Sequence, residues 1–336
     1  MESPFPIRYI IAGQLRRDYR ILPDAAPKID IPGGSLLYAA AGVSIWDHGI
    51  GLVGRAGCDY PRDWIAAMER HRLDTRGIQL LADPQDIRYF VGYNGHGEAQ
   101  MDGSVGMFAQ LGYPYPKDLL GYSFSPAEVD SRTALPPLAI RASQIPNDYL
   151  DATAAHICPM EFLAQQLLPP LFRQGHITSI TLDPSPGFMN SIFWNDIPRI
   201  VNGLTAVITS EEKLLSLFQG KTEDLWEMAS ALVHNGCELV VIQRGSAGQL
   251  LFDGSTRWLI PGYPAQAADP TGSEDAFSGG FLAGWRSSYN PLRAVLMGNI
   301  SSSLVVESSD VFYAMDCMPG LAEARLEALQ SQVRVI

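Results

Sequence analysis

The sequence has few cysteines, no long apolar run and no basic cluster, and each absence argues against a class of protein. The four cysteines lie far apart and form no Cys-x-x-Cys pair, which favours reduced, mostly buried thiols in a cytosolic protein. No apolar run reaches the length needed to span a membrane. Residues 1–6 have neither the basic start nor the apolar core of a signal peptide. We therefore expect a cytoplasmic protein without a membrane partner.

The charge balance is acidic. Asp and Glu total 36 and Lys and Arg total 24, so the formal net charge is −12 at pH 7. Because no Lys/Arg cluster stands out, the sequence argues against nucleic acid or an anionic membrane as a partner. The six histidines show no metal-ligand spacing, so we predict no metal site built from them.

The strongest functional signal is the segment at residues 269–285, which reads DPTGSEDAFSGGFLAGW. Pro270 ends the preceding extended segment, because proline fixes its own φ and disfavours helix in the residue before it. Phe277, Phe281 and Trp285 then recur at helical spacing. The small residues between Pro270 and this pattern therefore form a turn that opens a helix.

Such a turn is suited to phosphate. The first amides of a helix have no partner within the helix, and the helix dipole is positive at that end. Anions, phosphate in particular, are therefore favoured there. Asp275 lies in the same turn and could take a proton from an attacking hydroxyl, which together with a phosphate cradle would serve phosphoryl transfer. The alternative is that Asp275 is an ordinary helix-start carboxylate, stabilising by capping and by the dipole alone.

This segment resembles the carboxy-terminal signature of the ribokinase-like (PfkB) carbohydrate kinases, roughly Asp-Thr/Pro-x-Gly-Ala-Gly-Asp-x-Phe-x-Gly-Gly. The matching residues are Asp269, Pro270, Gly272, Asp275, Phe277, Gly279 and Gly280. The resemblance implies that Asp275 is the catalytic base. It also implies that the amides of Gly272, Ser273, Glu274 and Asp275 hold the transferred phosphate. The resemblance covers about residues 8–310.

Further landmarks follow in the order of the family. Residues 9–13 and Asp18 resemble its first strand and substrate-binding aspartate, and Gly33-Gly34 resembles its di-glycine substrate loop. Tyr38 stands where many members carry a sugar-binding Asn, which implies substrate contact. Structural alternatives stay open for each of these residues. Asp18 could be a solvated turn residue, and the two glycines could let a helix pack closely on a strand. Tyr38 could be a core residue.

Residues 240–248 resemble the strand and loop that approach ATP in the family. The resemblance therefore implies nucleotide contacts for Gln243, Gly245, Gly248, Thr271 and Asn299. Asn299 could instead cap or cross-link helices. Residues 50–59 resemble the second core strand and its Gly-x-Asp turn. The sequence Gly-x-Gly-x-x-Gly at residues 49–54 also spells a dinucleotide fingerprint, but it is itself strand-like and follows a helix, so we reject that interpretation.

Three departures from the family pattern concern the phosphate site and the lid. Glu274 replaces a loop glycine, and its side chain either points outward harmlessly or repels the phosphates of ATP. Residues 210–213 read Ser-Glu-Glu-Lys where the family has Asn-x-x-Glu, a motif tied to magnesium and phosphate. Residues 97–99 lack an arginine that is often found in the lid.

Short apolar strands that alternate with helices predict an α/β fold with a mostly parallel sheet covered on both faces. The resemblance specifies a ribokinase-like three-layer α/β/α sandwich with a small β lid. We predict one domain over 1–336, lid segments at about 14–32 and 85–112, and an irregular insertion at about 103–145 whose aromatics argue against disorder. Helices are predicted at 35–47, 62–72, 160–174, 191–201, 222–235, 275–288 and 291–306.

The sequence therefore predicts an ATP-dependent kinase that uses Mg²⁺ and acts on a hydroxyl of a small sugar, polyol or nucleoside. The alternative is a catalytically impaired sugar- or nucleotide-binding protein on a kinase scaffold, which Glu274 and Lys213 motivate. Because the family is often dimeric through the lid, a homodimer is a further expectation. The sequence does not name the substrate.

Overall fold

The computed structural model describes residues 6–94, 98–124 and 130–336. Strands and helices alternate along these residues. The elements of the first half are β1 (Tyr9–Ala12), β2 (Arg16–Ile21), β3 (Lys28–Gly33), α1 (Ser35–Ser44), β4 (Ile50–Ala56), α2 (Arg62–Arg70), β5 (Leu73–Leu80), β6 (Arg88–Tyr93), β7 (Ala99–Gln100) and α3 (Ser104–Gln110). Those of the second half are β8 (Ala154–Ile157), α4 (Phe162–Phe172), β9 (Ser179–Leu182), α5 (Ile197–Val201), β10 (Ala206–Ser210), α6 (Glu211–Leu217), α7 (Leu225–His234), β11 (Leu239–Gln243), β12 (Gln249–Phe252), β13 (Arg257–Ile260), α8 (Ser273–Ser288), α9 (Pro291–Val305), α10 (Leu321–Gln330) and β14 (Arg334–Val335).

Within the described residues the central sheet has ten strands in the order β14-β13-β12-β11-β10-β9-β8-β1-β4-β5. The strands from β11 to β5 in this order are parallel to their neighbours, whereas β12, β13 and β14 pair antiparallel. One face is covered by α1, α2, α8, α9 and α10, and the other by α4, α5, α6 and α7. The predicted three-layer sandwich is confirmed.

The parallel strands are short and buried on both faces, which is why they read as continuous apolar runs. All residues of β1 and β11 are buried. β4 contains most of the Gly-x-Gly-x-x-Gly sequence and lies between β1 and β5, so those glycines belong to a core strand and do not open a helix. None of the helices in the described residues combines the length and apolarity that crossing a bilayer requires.

A second, four-stranded sheet forms the lid, in the order β3-β2-β6-β7 over the described residues. Strand alternation places Arg16, Asp18 and Arg20 on its inner face, and the opposite residues Tyr19 and Ile21 on its outer face. The outer residues pack in one apolar cluster, which we call the lid cluster: Tyr19, Ile21, Phe90, Phe108 and Leu119. The lid therefore has a small core of its own.

The helices α6 and α10 lie in segments for which no helix was predicted, and the structure also differs from the prediction at residues 104–110 and 191–201. Residues 104–110 form α3 inside the segment predicted to be irregular, because a seven-residue helix is too short to show a sustained period and is held by the burial of Phe108. Residues 191–201 are a short 3₁₀ turn followed by α5, since Pro198 favours the first helical turn and starts a new helix there. Residues 1–5, 95–97 and 125–129, which include Gly97 and part of the predicted insertion, lie outside the described residues.

Glycines set how closely α1 and α8 approach each other. A Cβ on Gly42 would overlap the carbonyl oxygen of Ala276, and one on Gly279 would overlap the carbonyl oxygen of Ala39. The backbones of the two helices are therefore in direct contact. Since α1 also packs on the sheet, this contact fixes the position at which α8 begins.

We expect Gly42→Ala to lower the free energy of unfolding by about 1–3 kcal/mol, because the added methyl group must displace a backbone carbonyl in a close-packed core. Gly106→Ala on α3 is the matched control. It meets nothing within 4 Å and should raise stability by up to about 1 kcal/mol through helix propensity. Urea unfolding measures both, and equal effects of the two substitutions would contradict the packing assignment.

Candidate active site

The carboxyl ends of three parallel strands meet the start of α8 at one edge of the central sheet. Asp183 follows β9 directly, and the last residues of β10 and β11, Ser210 and Gln243, are paired in register. The Gln243 amide donates from Nε2 to the carbonyl oxygen of Glu274 at 3.3 Å, which ties this edge to α8. Ligands of open α/β sheets bind outside the carboxyl ends of the strands, so a binding site is expected at this edge.

The turn before α8 requires a glycine. Gly272 is the N-cap residue and has a φ of 80°, in the left-handed region. A Cβ at this position would overlap the ring of Tyr38. The carbonyl oxygen of Pro270 accepts a hydrogen bond from the amide of Ser273 at 3.3 Å. The turn is therefore held from both sides, by a bond within it and by a buried aromatic ring beneath it.

Three backbone donors are free at the start of α8. Across the described part of the chain, the amides of Gly272, Glu274 and Asp275 have no protein acceptor. The helix they begin has 16 residues, so its dipole adds positive potential at the same place. This group of amides, here called the anion hole, is suited to a phosphate.

The two acids in this turn have different environments. Glu274 is exposed, and its backbone carbonyl accepts from Gln243 and from the Ser278 hydroxyl. Asp275 is half-buried, and burial, assisted by the negative charges of Asp183 and Glu274, raises its pKa to about 7. A carboxylate with this pKa is suited to accept a proton near neutral pH.

Asp18 is anchored by a fully buried arginine. Arg20 donates to Oδ2 of Asp18 at 2.5 Å and to Oδ2 of Asp269 at 2.7 Å, and it also donates to the Tyr38 hydroxyl. Burial raises the pKa of Asp18 even though Arg20 lowers it. Within the described residues Oδ1 of Asp18 has no partner, so this buried oxygen can accept one more hydrogen bond.

Two hydrogen bonds join the lid to the turn before α8. One is the bond from Arg20 of β2 to Asp269 described above. The other links the hydroxyl of Tyr93 on β6 to Oγ1 of Thr271 at 2.9 Å. Thr271 also donates its amide to Oδ1 of Asp269 at 3.0 Å. The inner face of the lid and the anion hole are therefore held in one arrangement.

The remaining residues predicted to bind substrate have structural tasks in this arrangement. A Cβ on Gly33 would overlap the carboxylate of Asp18, and one on Gly34, whose φ is 103°, would overlap the carbonyl oxygen of Gln14. Both glycines therefore allow α1 to start close to β2, as the packing alternative expects. Tyr38 is 2% exposed, and its hydroxyl accepts from Arg20, as expected of a core residue.

The residues predicted to contact the nucleotide lie at the same edge but differ in availability. Gly245 has open space around it, whereas a Cβ on Gly248 would overlap the backbone of β13. Asn299 is buried, accepts from the amide of Tyr263 at 2.9 Å, and donates to Gln249 at 2.7 Å and to Pro261 at 2.9 Å. These bonds use both N–H donors of the side-chain amide, as the cross-linking alternative for Asn299 expects.

Sequence reasoning missed Arg16 and Asp183. The Arg16 guanidinium lies 4.5 Å from the ring centre of Tyr89 on the inner face of the lid, and its charge lowers the pKa of both Asp18 and Asp275. Asp183 is buried and accepts from Nζ of Lys213 at 2.6 Å. Burial raises the pKa of Asp183 to about 6 in spite of that partner. The sequence did carry a signal for each residue. Arg16 belongs to the alternating pattern Arg16-x-Asp18-x-Arg20, and Asp183 directly follows an apolar strand.

The residues present fit a nucleotide phosphate better than a metal ion held by the protein alone. The anion hole offers free donors to phosphate oxygens. By contrast, the described residues contain no group of three or more His, Cys, Asp or Glu side chains that could hold a metal. The buried carboxylate of Asp183, at the same edge of the sheet, is already paired with a cation.

Comparison with known proteins agrees with this geometry. The model of the pfkB family carbohydrate kinases matches residues 167–316. A cytidine kinase of Thermococcus kodakarensis is 28% identical over 284 residues, which cover 82% of this chain and 87% of that protein.

Solved structures show the same fold. A ribokinase of Thermotoga maritima superposes with a TM-score of 0.64 at 17% identity, covering 97% of this chain and 99% of that one. An aminoimidazole riboside kinase of Salmonella enterica, solved with aminoimidazole riboside and an ATP analogue, gives 0.66 at 15% identity, with 95% and 99% covered. The resemblance predicted from the sequence is confirmed.

We expect Arg20→Met to lower the free energy of unfolding by about 3–5 kcal/mol, because it leaves the carboxylates of Asp18 and Asp269 buried without their shared cation. Arg17→Met on the same strand is the control. Its ion pair with Asp30 is partly exposed and contributes about 0.2–1 kcal/mol. Denaturant unfolding compares the two, and a loss at position 20 as small as that at position 17 would contradict the buried network.

Proposed function

Because the chain combines a ribokinase-like fold with a pfkB family carbohydrate kinase match over residues 167–316, we propose that it is an ATP-dependent phosphotransferase. The acceptor is a hydroxyl of a small sugar, polyol or nucleoside. The observation that carries this proposal is the anion hole at the start of α8 with Asp275 as its last residue.

The acceptor binds between the inner face of the lid and the start of α8. Oδ1 of Asp18 accepts a hydrogen bond from one of its hydroxyl groups, since this oxygen has no partner in the described residues. Arg16 donates hydrogen bonds to oxygen atoms of the acceptor, and its guanidinium lies over the ring of Tyr89. The bonds from Arg20 to Asp269 and from Tyr93 to Thr271 hold the lid over the bound acceptor. Water is thereby excluded from the transferred phosphate.

Asp275 is the general base. Its carboxylate takes the proton of the acceptor hydroxyl, and the hydroxyl oxygen forms a bond to the terminal phosphorus of ATP. The bond from that phosphorus to the bridging oxygen breaks, and its electron pair leaves with ADP. The amides of Gly272, Glu274 and Asp275 bind the oxygens on which negative charge accumulates. Mg²⁺ that arrives with the nucleotide neutralises phosphate charge.

The second candidate is a binding protein with impaired catalysis. Its motivation is the pair of departures at Glu274 and Lys213. The exposure of Glu274 favours the kinase instead, because solvent screens its carboxylate while its backbone amide stays a free donor of the anion hole. A homodimer through the lid and a cytoplasmic location also belong to this proposal and are not needed for the chemistry.

Asp275→Asn should lower the turnover number by about 10²–10⁴-fold, which is the usual contribution of a general base. The control is Glu274→Gly on the same helix, which should change turnover less than about threefold because that side chain is exposed. Both are assayed with ATP and a panel of sugars, polyols and nucleosides. An active wild type that keeps its rate in Asp275→Asn would refute the assigned base. A large gain in Glu274→Gly would favour the impaired protein.

The activity should also fall as the pH drops below about 7. Asp275 accepts a proton only when it is ionised, and its pKa is about 7, so kcat/KM should decrease about tenfold per pH unit on the acid side. Arg16→Gln should move the midpoint of this limb to higher pH, because the guanidinium lowers the pKa of Asp275. A pH–rate profile of both proteins checks this, and an unmoved midpoint would contradict the electrostatic link.

A further inference from the structure

We propose that Lys213 binds the terminal phosphate of the nucleotide and supplies positive charge that would otherwise come from Mg²⁺. The chain should therefore bind ATP appreciably when no divalent cation is present. This inference rests on the proposed function and adds to it a phosphate-binding residue and a reduced dependence on metal.

The fold places Lys213 at the phosphate edge of the sheet. It lies in the first turn of α6, directly after β10, and its amide donates to the N-cap hydroxyl of Ser210 at 3.3 Å. Its Nζ donates to Oδ1 of Asp183 at 2.6 Å, at the end of the neighbouring strand β9. Ser210 is paired with Gln243, which binds the carbonyl of Glu274 in the anion hole. The start of α6 and the start of α8 are thus linked through the ends of β10 and β11, and the Asp183–Lys213 pair lies at the same edge of the sheet.

The ammonium is charged and has donors to spare. Its side chain is 11% exposed and that of Asp183 is 2% exposed, so the pair is largely removed from water. Burial alone would lower the pKa of Lys213, but Asp183, Glu274 and Asp275 outweigh burial and hold it above its usual value. An ammonium has three donors, and within the described residues its only hydrogen bond is to Asp183. The other donors can bind phosphate oxygens.

Lys213 also reverses the charge at a position that the resemblance assigns to an acid. The family motif Asn-x-x-Glu is tied to magnesium and phosphate, and the corresponding residues here are Ser210 and Lys213. A glutamate at this place would need a cation between itself and the nucleotide, whereas a lysine meets the phosphate directly. The ammonium of Lys213 also forms an ion pair with the carboxylate of Asp183, which makes that carboxylate a poor metal ligand.

The test measures the dissociation constant of a non-hydrolysable ATP analogue by calorimetry, in excess EDTA and in excess Mg²⁺. The main variant combines Lys213→Met with Asp183→Asn, so that neither charge of the buried pair is left alone. In EDTA it should bind at least about tenfold more weakly than wild type, a loss of about 1.4 kcal/mol, and in Mg²⁺ the loss should be smaller.

Two matched variants isolate the lysine. Asp183→Asn alone keeps the ammonium and should bind in EDTA at least as tightly as wild type. Lys221→Met removes one positive charge from the loop after α6, where Nζ lies 4.4 Å from the ring centre of Trp194, and should leave the affinity unchanged. If the double variant binds in EDTA within about threefold of Asp183→Asn, Lys213 does not bind the nucleotide and the inference is wrong.

A measurement on the wild type keeps the inference testable even if the double variant fails to fold. In EDTA the ATP analogue should bind at least about tenfold more tightly than ADP, because only the former has the terminal phosphate that Lys213 contacts. Equal affinities for the ATP analogue and ADP in EDTA would refute the inference. The kinase assignment would still stand if the ATP analogue binds more tightly than ADP once Mg²⁺ is added. Failure of the wild type to bind any nucleotide with Mg²⁺ would refute the proposed function itself.

Discussion

The buried guanidinium of Arg20 is the interaction on which the site depends. Its two carboxylate partners come from different parts of the molecule, Asp18 from the lid strand β2 and Asp269 from the turn before α8. Burying a carboxylate at this depth without a cation beside it would carry a large desolvation cost. Because one side chain satisfies both, it fixes the distance between the group proposed to bind the acceptor and the group proposed to hold the phosphate.

Much of the fold could be predicted from the sequence, because the buried parallel strands leave unbroken apolar runs and α8 is long enough to show its period. β5 (Leu73–Leu80) was missed since it is an edge strand whose side chains are partly exposed, so its sequence LDTRGIQL reads as polar. The pairing of Arg20 with Asp269 spans 249 residues, and no local pattern reports it. Local chemistry predicted the anion hole, but only the tertiary structure shows which side chains surround it.

The departures from the family pattern at Glu274 and Lys213 both change the charge around the proposed phosphate site. Glu274 adds an exposed carboxylate to the phosphate turn, whereas Lys213 adds an ammonium that is largely buried beside Asp183. Their effects on a bound phosphate therefore differ, because a charge screened by water acts more weakly than one removed from it. If Lys213 binds the nucleotide as proposed, the buried lysine has the larger effect of the two.

The lid cluster has a consequence for how new specificities can arise in this scaffold. The lid holds itself together from its outer side, through Tyr19, Phe90 and Phe108. The cleft side, where Arg16 and Tyr89 lie, does not have to supply that cohesion. Arg16 and Tyr89, which face the cleft but lie outside the buried network of Arg20, can therefore be exchanged during evolution, or by an engineer building a library, while the sheet that displays them stays folded.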